Sequence, residues 1–153
     1  MNIDPVYIFF TKTDSSAVTP YCAYNGTSAA FDLTCTETTI VPAKGSAVVP
    51  NGLRLSIPQS EPYYMIVHLR SSVGFKKDLI CHPGVIDAGY TGDLGVKVFN
   101  LSDEPIVFNK GERYAQITIH KKHQIIFTEM TFDEFAGYEK TQLRGSGGFG
   151  SSN

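Results

Sequence analysis

Gly84-Val85-Ile86-Asp87-Ala88-Gly89-Tyr90-Thr91-Gly92-Asp93-Leu94 is the stretch from which the fold can be read. Two β-branched residues run into an acid, glycines punctuate the next turn around a tyrosine, and Leu94, Val96 and Val98 then alternate as a strand does. The pattern predicts a β-hairpin that presents a carboxylate and an aromatic ring. On its own such a hairpin is ordinary, because aspartate bonds its own backbone in turns and tyrosine often lies half-buried on a pleated surface. Its surroundings decide whether it carries chemistry.

Outward from the hairpin, short β-branched and aromatic runs alternate with Pro, Gly, Asn and Asp from Val6 to Ile126, with no sustained 3.6-residue period. They predict strands at residues 6–10, 29–35, 39–41, 46–49, 52–57, 63–69, 94–100, 106–108, 113–120 and 124–127. So many short strands in 153 residues fit one all-β domain, a β-barrel or jelly roll, over residues 1–137. Two short helical turns are expected. One runs to Lys77 from a cap at Ser71 or Ser72; the other follows the capping box Thr131-Phe132-Asp133-Glu134, with Gly137 placed to end it.

Residues 138–153 read as a flexible glycine-rich C-terminal tail, since Gly145-Ser146-Gly147-Gly148-Phe149-Gly150-Ser151-Ser152-Asn153 offers almost nothing to a core. Arg144 and Phe149 stand out within it. Glycines let backbone N–H groups approach phosphate oxygens, a guanidinium grips phosphate bidentately, and a ring stacks on a base. A nucleoside triphosphate has both ends. The segment is no P-loop, because the lysine is missing.

Composition narrows the classes. The chain is 42% hydrophobic and 18% charged, which is globular, and its net charge of −2 supplies no basic footprint for nucleic acid or an anionic membrane. Cys22, Cys35 and Cys81 match no zinc or thioredoxin spacing, which fits a reducing compartment. The apolar run at 6–10 is far too short for a signal sequence or a membrane span. A soluble intracellular protein is expected, cytoplasmic or nuclear, in the host-cell interior if viral. Asn25-Gly26-Thr27 and Asn100-Leu101-Ser102 fit the glycosylation sequon, a pattern short enough to arise by chance.

Five separated stretches, in order, resemble the five motifs of the homotrimeric dUTPase family: Ala29-Ala30-Phe31-Asp32-Leu33, Arg70-Ser71-Ser72-Val73-Gly74, Gly84 to Gly92, Gly111-Glu112-Arg113-Tyr114-Ala115-Gln116, and Arg144 to Ser152. The resemblance implies a dUTPase-like fold and hydrolysis of dUTP to dUMP and pyrophosphate, with Mg²⁺, in active sites shared between subunits of a homotrimer. Asp87 would hold and deprotonate the water that attacks the α-phosphorus. A carboxylate is a weak base at neutral pH, so such a residue works mainly by placing the water. Tyr90 would lie against the deoxyribose and collide with a 2′-hydroxyl. Main-chain groups around Gly84, Val85 and Ile86 would read the uracil edge. Arg70, Ser71, Ser72 and Gln116 would contact the phosphates, and Asp32 would meet the magnesium through water. Arg144 would clamp the γ-phosphate while Phe149 covers the base, with Gly147, Gly148, Gly150 and Ser151 completing a closing lid. Ala30 stands where the family often has Gly, and Thr91 where Arg is frequent.

A dCTP deaminase shares the fold and resembles the chain around His82-Pro83-Gly84 and Ile86-Asp87. That family uses a glutamate on the strand after the hairpin, where this sequence has Lys97. A further reading is a dUTPase-like protein kept mainly for partner binding, although the reactive side chains are all present. A virion or other structural β-barrel would account for the strands but not for the five motifs.

Overall fold

The computed structural model describes residues 5–148. In chain order its strands are β1 (Phe9–Lys12), β2 (Tyr21–Cys22), β3 (Ala30–Thr34), β4 (Thr39–Val41), β5 (Ser46–Val49), β6 (Leu53–Ser56), β7 (Tyr63–Leu69), β8 (Leu79–Cys81), β9 (Gly84–Ile86), β10 (Val96–Asn100), β11 (Ile106–Phe108) and β12 (Arg113–Lys121). They form a five-stranded sheet ordered β2-β3-β12-β7-β9, a three-stranded sheet ordered β5-β10-β8, and the ribbons β1-β6 and β4-β11, all paired antiparallel. The architecture is all-β and jelly-roll-like, as expected, built from separate sheets rather than one closed barrel.

Period-two alternation explains the core. Val96 and Val98 of β10, Met65 and Val67 of β7, and Ala115 and Ile117 of β12 are buried, joining Leu33, Leu53, Ile57 and Phe108 in one apolar cluster. Each fully buried aliphatic side chain of this kind is worth about 1.5–3 kcal/mol. Tyr114 lies at its centre, with the hydroxyl donating to the Val49 carbonyl at 2.7 Å. Burial pushes its phenol pKa well up.

Four expected strands, at 39–41, 46–49, 63–69 and 106–108, carry the predicted bounds. Others need correction. The first strand falls at Phe9–Lys12 rather than 6–10, because it is a ribbon whose register is set by its single partner β6, Lys12 facing Leu53. Residues 124–127 form no strand: Ile125, Ile126 and Phe127 are exposed and have no strand partner among the described residues. The hairpin is not one. β9 pairs with β7 and β10 pairs with β5 and β8, so the intervening chain crosses from one sheet to another. Strand alternation predicts the two arms but cannot say which neighbours claim them.

The helix Ser71–Lys77 is capped by Arg70, not by a serine, with no side-chain cap bond, and ends where Asp78 turns left-handed. The helix Phe132–Glu139 has the predicted capping box between Thr131 and Glu134 but continues through Gly137, which therefore does not stop it. The Asn100 sequon is closed off: that side chain is buried and hydrogen-bonded to Val41, Ser102 and Glu104. The chain divides into two compact units, one ending at Lys122 and the other starting at His123. Among the described residues no helix is long and apolar enough to cross a membrane.

Candidate active site

The chain between β9 and β10 is held at several points. Tyr90 N–H donates to the Asp87 carbonyl at 3.2 Å, closing a turn in which Gly89 takes φ 84°, a conformation that strongly favours glycine. Gly89 N–H reaches the Ile57 carbonyl at 2.8 Å, and Leu94 N–H the Leu53 carbonyl at 2.9 Å. Buried Asn51 joins the two sides, its Nδ2 donating to the Leu94 carbonyl at 2.6 Å while its Oδ1 accepts from Leu53 N–H at 3.1 Å. At the surface, Arg54 Nε pairs with Asp93 Oδ1 at 2.9 Å. That guanidinium, by hydrogen bond and then by charge, holds the Asp93 carboxyl below the usual carboxylate range.

This pinned crossover walls a cavity of about 540 Å³ lined by Gly84, Val85, Ile86, Asp87, Tyr90, Asp93 and Leu94, with Val67 and Gly95. Asp87 is exposed in it, so its carboxylate can hold water. Tyr90 is 46% exposed, and its hydroxyl donates to the Asp93 carbonyl at 3.1 Å. All five residues predicted from the third motif therefore share one concavity, with an acid and a ring beside main-chain groups.

A second cluster forms on the same five-stranded sheet. Asp32, buried on β3, forms an ion pair with Arg70 Nε at 3.2 Å through one oxygen and accepts a hydrogen bond from an Arg113 guanidinium nitrogen at 3.0 Å on the other. Arg113 also lies 5.1 Å from the Tyr21 ring centroid, within cation–π range. Gln116 faces Asp32 on one side and His68 on the other. Ser71 and Ser72 open the next helix with exposed side chains. Two guanidinium groups on one buried carboxylate leave an excess positive charge, a pad suited to phosphate.

None of the described cavities is lined by residues of both clusters. β7 stands between the strands of Gly84 and Gln116, a separation of roughly 10 Å by strand spacing, and β3 lies one strand further. Arg144, Gly147 and Gly148 lie in the second unit, where Arg144 Nε donates to the Gly147 carbonyl at 3.0 Å. Phe149, Gly150 and Ser151 lie outside the described residues.

Sequence reasoning missed Arg113 as a site residue. Its signal was membership of the fourth motif; its obstacle was parity. Residues three apart on a strand face opposite ways, but a bulge between Arg113 and Ala115 cancels the odd step and returns Arg113 to the face of Gln116 and Asp32. Asn51 and Arg54 were missed as well, and nothing local marks them, since their partners lie about forty residues away.

Sheet order and cavity together define an all-β protein with an acid- and aromatic-lined cleft and a separate cluster of two arginines on a buried carboxylate. The dUTPase family model matches residues 18–153. Deoxyuridine 5′-triphosphate nucleotidohydrolase of Solanum lycopersicum is 36% identical over 141 residues, covering 92% of this chain and 78% of that protein. The Mycobacterium marinum enzyme of that name is 35% identical over 144 residues, with 92% and 91% covered. A point mutant of the Staphylococcus bacteriophage 80alpha dUTPase with dUpNHpp superposes with a TM-score of 0.82 at 25% identity, covering 96% of this chain and 98% of that one. The chain belongs to the dUTPase family.

Proposed function

We propose that this chain hydrolyses dUTP to dUMP and pyrophosphate, limiting uracil entry into DNA and supplying dUMP. The observation that carries the reading is the shared cavity at the sheet crossover: Asp87, Tyr90 and the main chain of Gly84, Val85 and Ile86 line one space. Asp87 holds the attacking water and takes its proton as the water adds to the α-phosphorus; the bond to the bridging oxygen breaks and pyrophosphate leaves. Tyr90 closes the sugar side of the cavity against a 2′-hydroxyl. The β9 main chain reads uracil, and its proximity leaves little room for a thymine methyl.

The pad formed by Arg70, Ser71, Ser72, Arg113 and Gln116 binds the phosphate chain. One triphosphate uses both clusters, with each active site taking the crossover cavity of one subunit and the pad of another. A homotrimer with three shared sites satisfies this. The 138–153 tail then folds over the bound nucleotide, Arg144 on the γ-phosphate, with the glycine backbone of 147, 148 and 150 and Ser151 around the phosphates and Phe149 on the base.

Among the described residues no three His, Cys, Asp or Glu side chains converge. Asp32 would hold Mg²⁺ on a bound triphosphate through a water, accepting from it with a lone pair its arginines leave free. When bound, the ion neutralises charge on the phosphate oxygens.

A deaminase is the weaker reading. Lys97 is exposed, with its ammonium 5.4 Å over the Phe99 ring, and it does not line the cavity. Pyrophosphate release assayed over dUTP, dCTP, dTTP and UTP, with ammonia measured in parallel, tests the reading. Pyrophosphate from dUTP alone, without ammonia from dCTP, is expected; ammonia release or equal use of all four would overturn it.

A further inference from the structure

Gly92 stands beside Tyr90 in the crossover, and its backbone is not in the left-handed region, so no torsional reason demands glycine there. The reason is the tyrosine. A Cβ placed on Gly92 would meet the Tyr90 hydroxyl, lying 2.6 Å from Cζ and 3.1 Å from Cε2; its three nearest heavy atoms all belong to that ring. The ring is thus folded down onto a bare backbone. Its far end is latched, because the hydroxyl donates to the Asp93 carbonyl at 3.1 Å. Asp93 is itself fixed: Arg54 Nε holds its carboxylate at 2.9 Å, and its backbone bridges Arg54.

We propose that Gly92 is a specificity-determining residue, the seat that lets Tyr90 lie low enough to exclude a 2′-hydroxyl. This rests on the reading of Tyr90 as the sugar filter and extends it to a residue that touches no substrate. A tyrosine side chain rotates about two torsions, so a methyl group at position 92 lifts the ring instead of unfolding the chain. The cavity keeps its acid and its main-chain groups but loses the wall on the sugar side.

The test is kcat/KM for dUTP and UTP in the full chain, with thermal melting in parallel, for wild type, Gly92→Ala, Tyr90→Ala and the double variant. Gly92→Ala is expected to melt near wild type while its dUTP-to-UTP preference falls by at least about tenfold, towards that of Tyr90→Ala. In the Tyr90→Ala background the second change should leave the preference where it was, because the ring it displaces is gone. Equal losses on both nucleotides with the preference intact would overturn the proposal, as would a further change of preference in the double variant. Should Gly92→Ala fail to fold, a folded double variant supports the seat and an unfolded one overturns it. If Tyr90→Ala itself leaves the preference unchanged, the sugar-filter reading falls and the seat with it; if only Gly92→Ala leaves it unchanged, the seat alone falls.

Discussion

The sheet crossover at Asp87 to Gly95 and the segment from His123 to Gly148 both carry residues assigned to the same chemistry, and they are built in opposite ways. The crossover is tied to strands far off in sequence: Gly89 to Ile57, Leu94 to Leu53, and Asn51 across both sides from within the core. The hydrogen bonds described in the C-terminal segment connect positions no more than four apart, such as Glu134 with Thr131, Thr141 with Tyr138, and Arg144 with Gly147. Its helix buries no residue. A group that must hold a water within tenths of an ångström needs the first kind of support. A group that must let the nucleotide in and then close over it needs the second.

The contrast can be broken experimentally, starting where the effect is largest. Asp87→Asn keeps the cavity and removes the base, so turnover should fall between about 10²- and 10⁴-fold while nucleotide affinity, measured by calorimetry, stays near wild type. Near-normal turnover would remove Asp87 from the chemistry. Deleting residues 141–153 should cost on the order of 10²-fold in activity by leaving the reacting groups less well positioned. The melting transition should stay unchanged, because the described residues of the segment supply nothing to the core cluster. A truncated chain that loses its fold would contradict the division of labour.

Sharpening the comparison from the other side, Asn51→Ala leaves the Leu94 carbonyl and Leu53 N–H without their buried partner, which should cost about 1–3 kcal/mol in urea unfolding. Turnover should fall with it, since the crossover loosens. The smallest effect belongs to the exposed Arg54–Asp93 pair. Asp93 is depressed in the folded state, so whatever stability it contributes is present above the ordinary carboxylate range and is lost as pH falls through the lowered value. The difference in melting temperature between wild type and Arg54→Gln should therefore be small at neutral pH and close as pH is taken down through and below about 4. A gap that widens in acid would reverse the sign and refute the pairing.

Much of this was legible from the residues. Alternation marked most strands, and the capping box at Thr131 announced its helix. The motif residues Asp87 and Tyr90, with Gly84, Val85 and Ile86, do gather in one cavity. What stayed hidden was whatever depends on which strand lies next to which. The expected hairpin is a crossover because β7 claims one arm and β5 the other. Residues 124–127 look like a strand, yet no neighbour among the described residues completes it. Arg113 was masked by a bulge, a one-residue event that no periodicity records. Asn51 looks like any turn asparagine until the fold brings Leu94 to it.

The central claim is that water held at Asp87 attacks the phosphorus nearest the nucleoside. Hydrolysis of dUTP in ¹⁸O-labelled water, followed by mass spectrometry of both products, reads this directly. The label should appear in dUMP and not in pyrophosphate; label in pyrophosphate, with unlabelled dUMP, would contradict it.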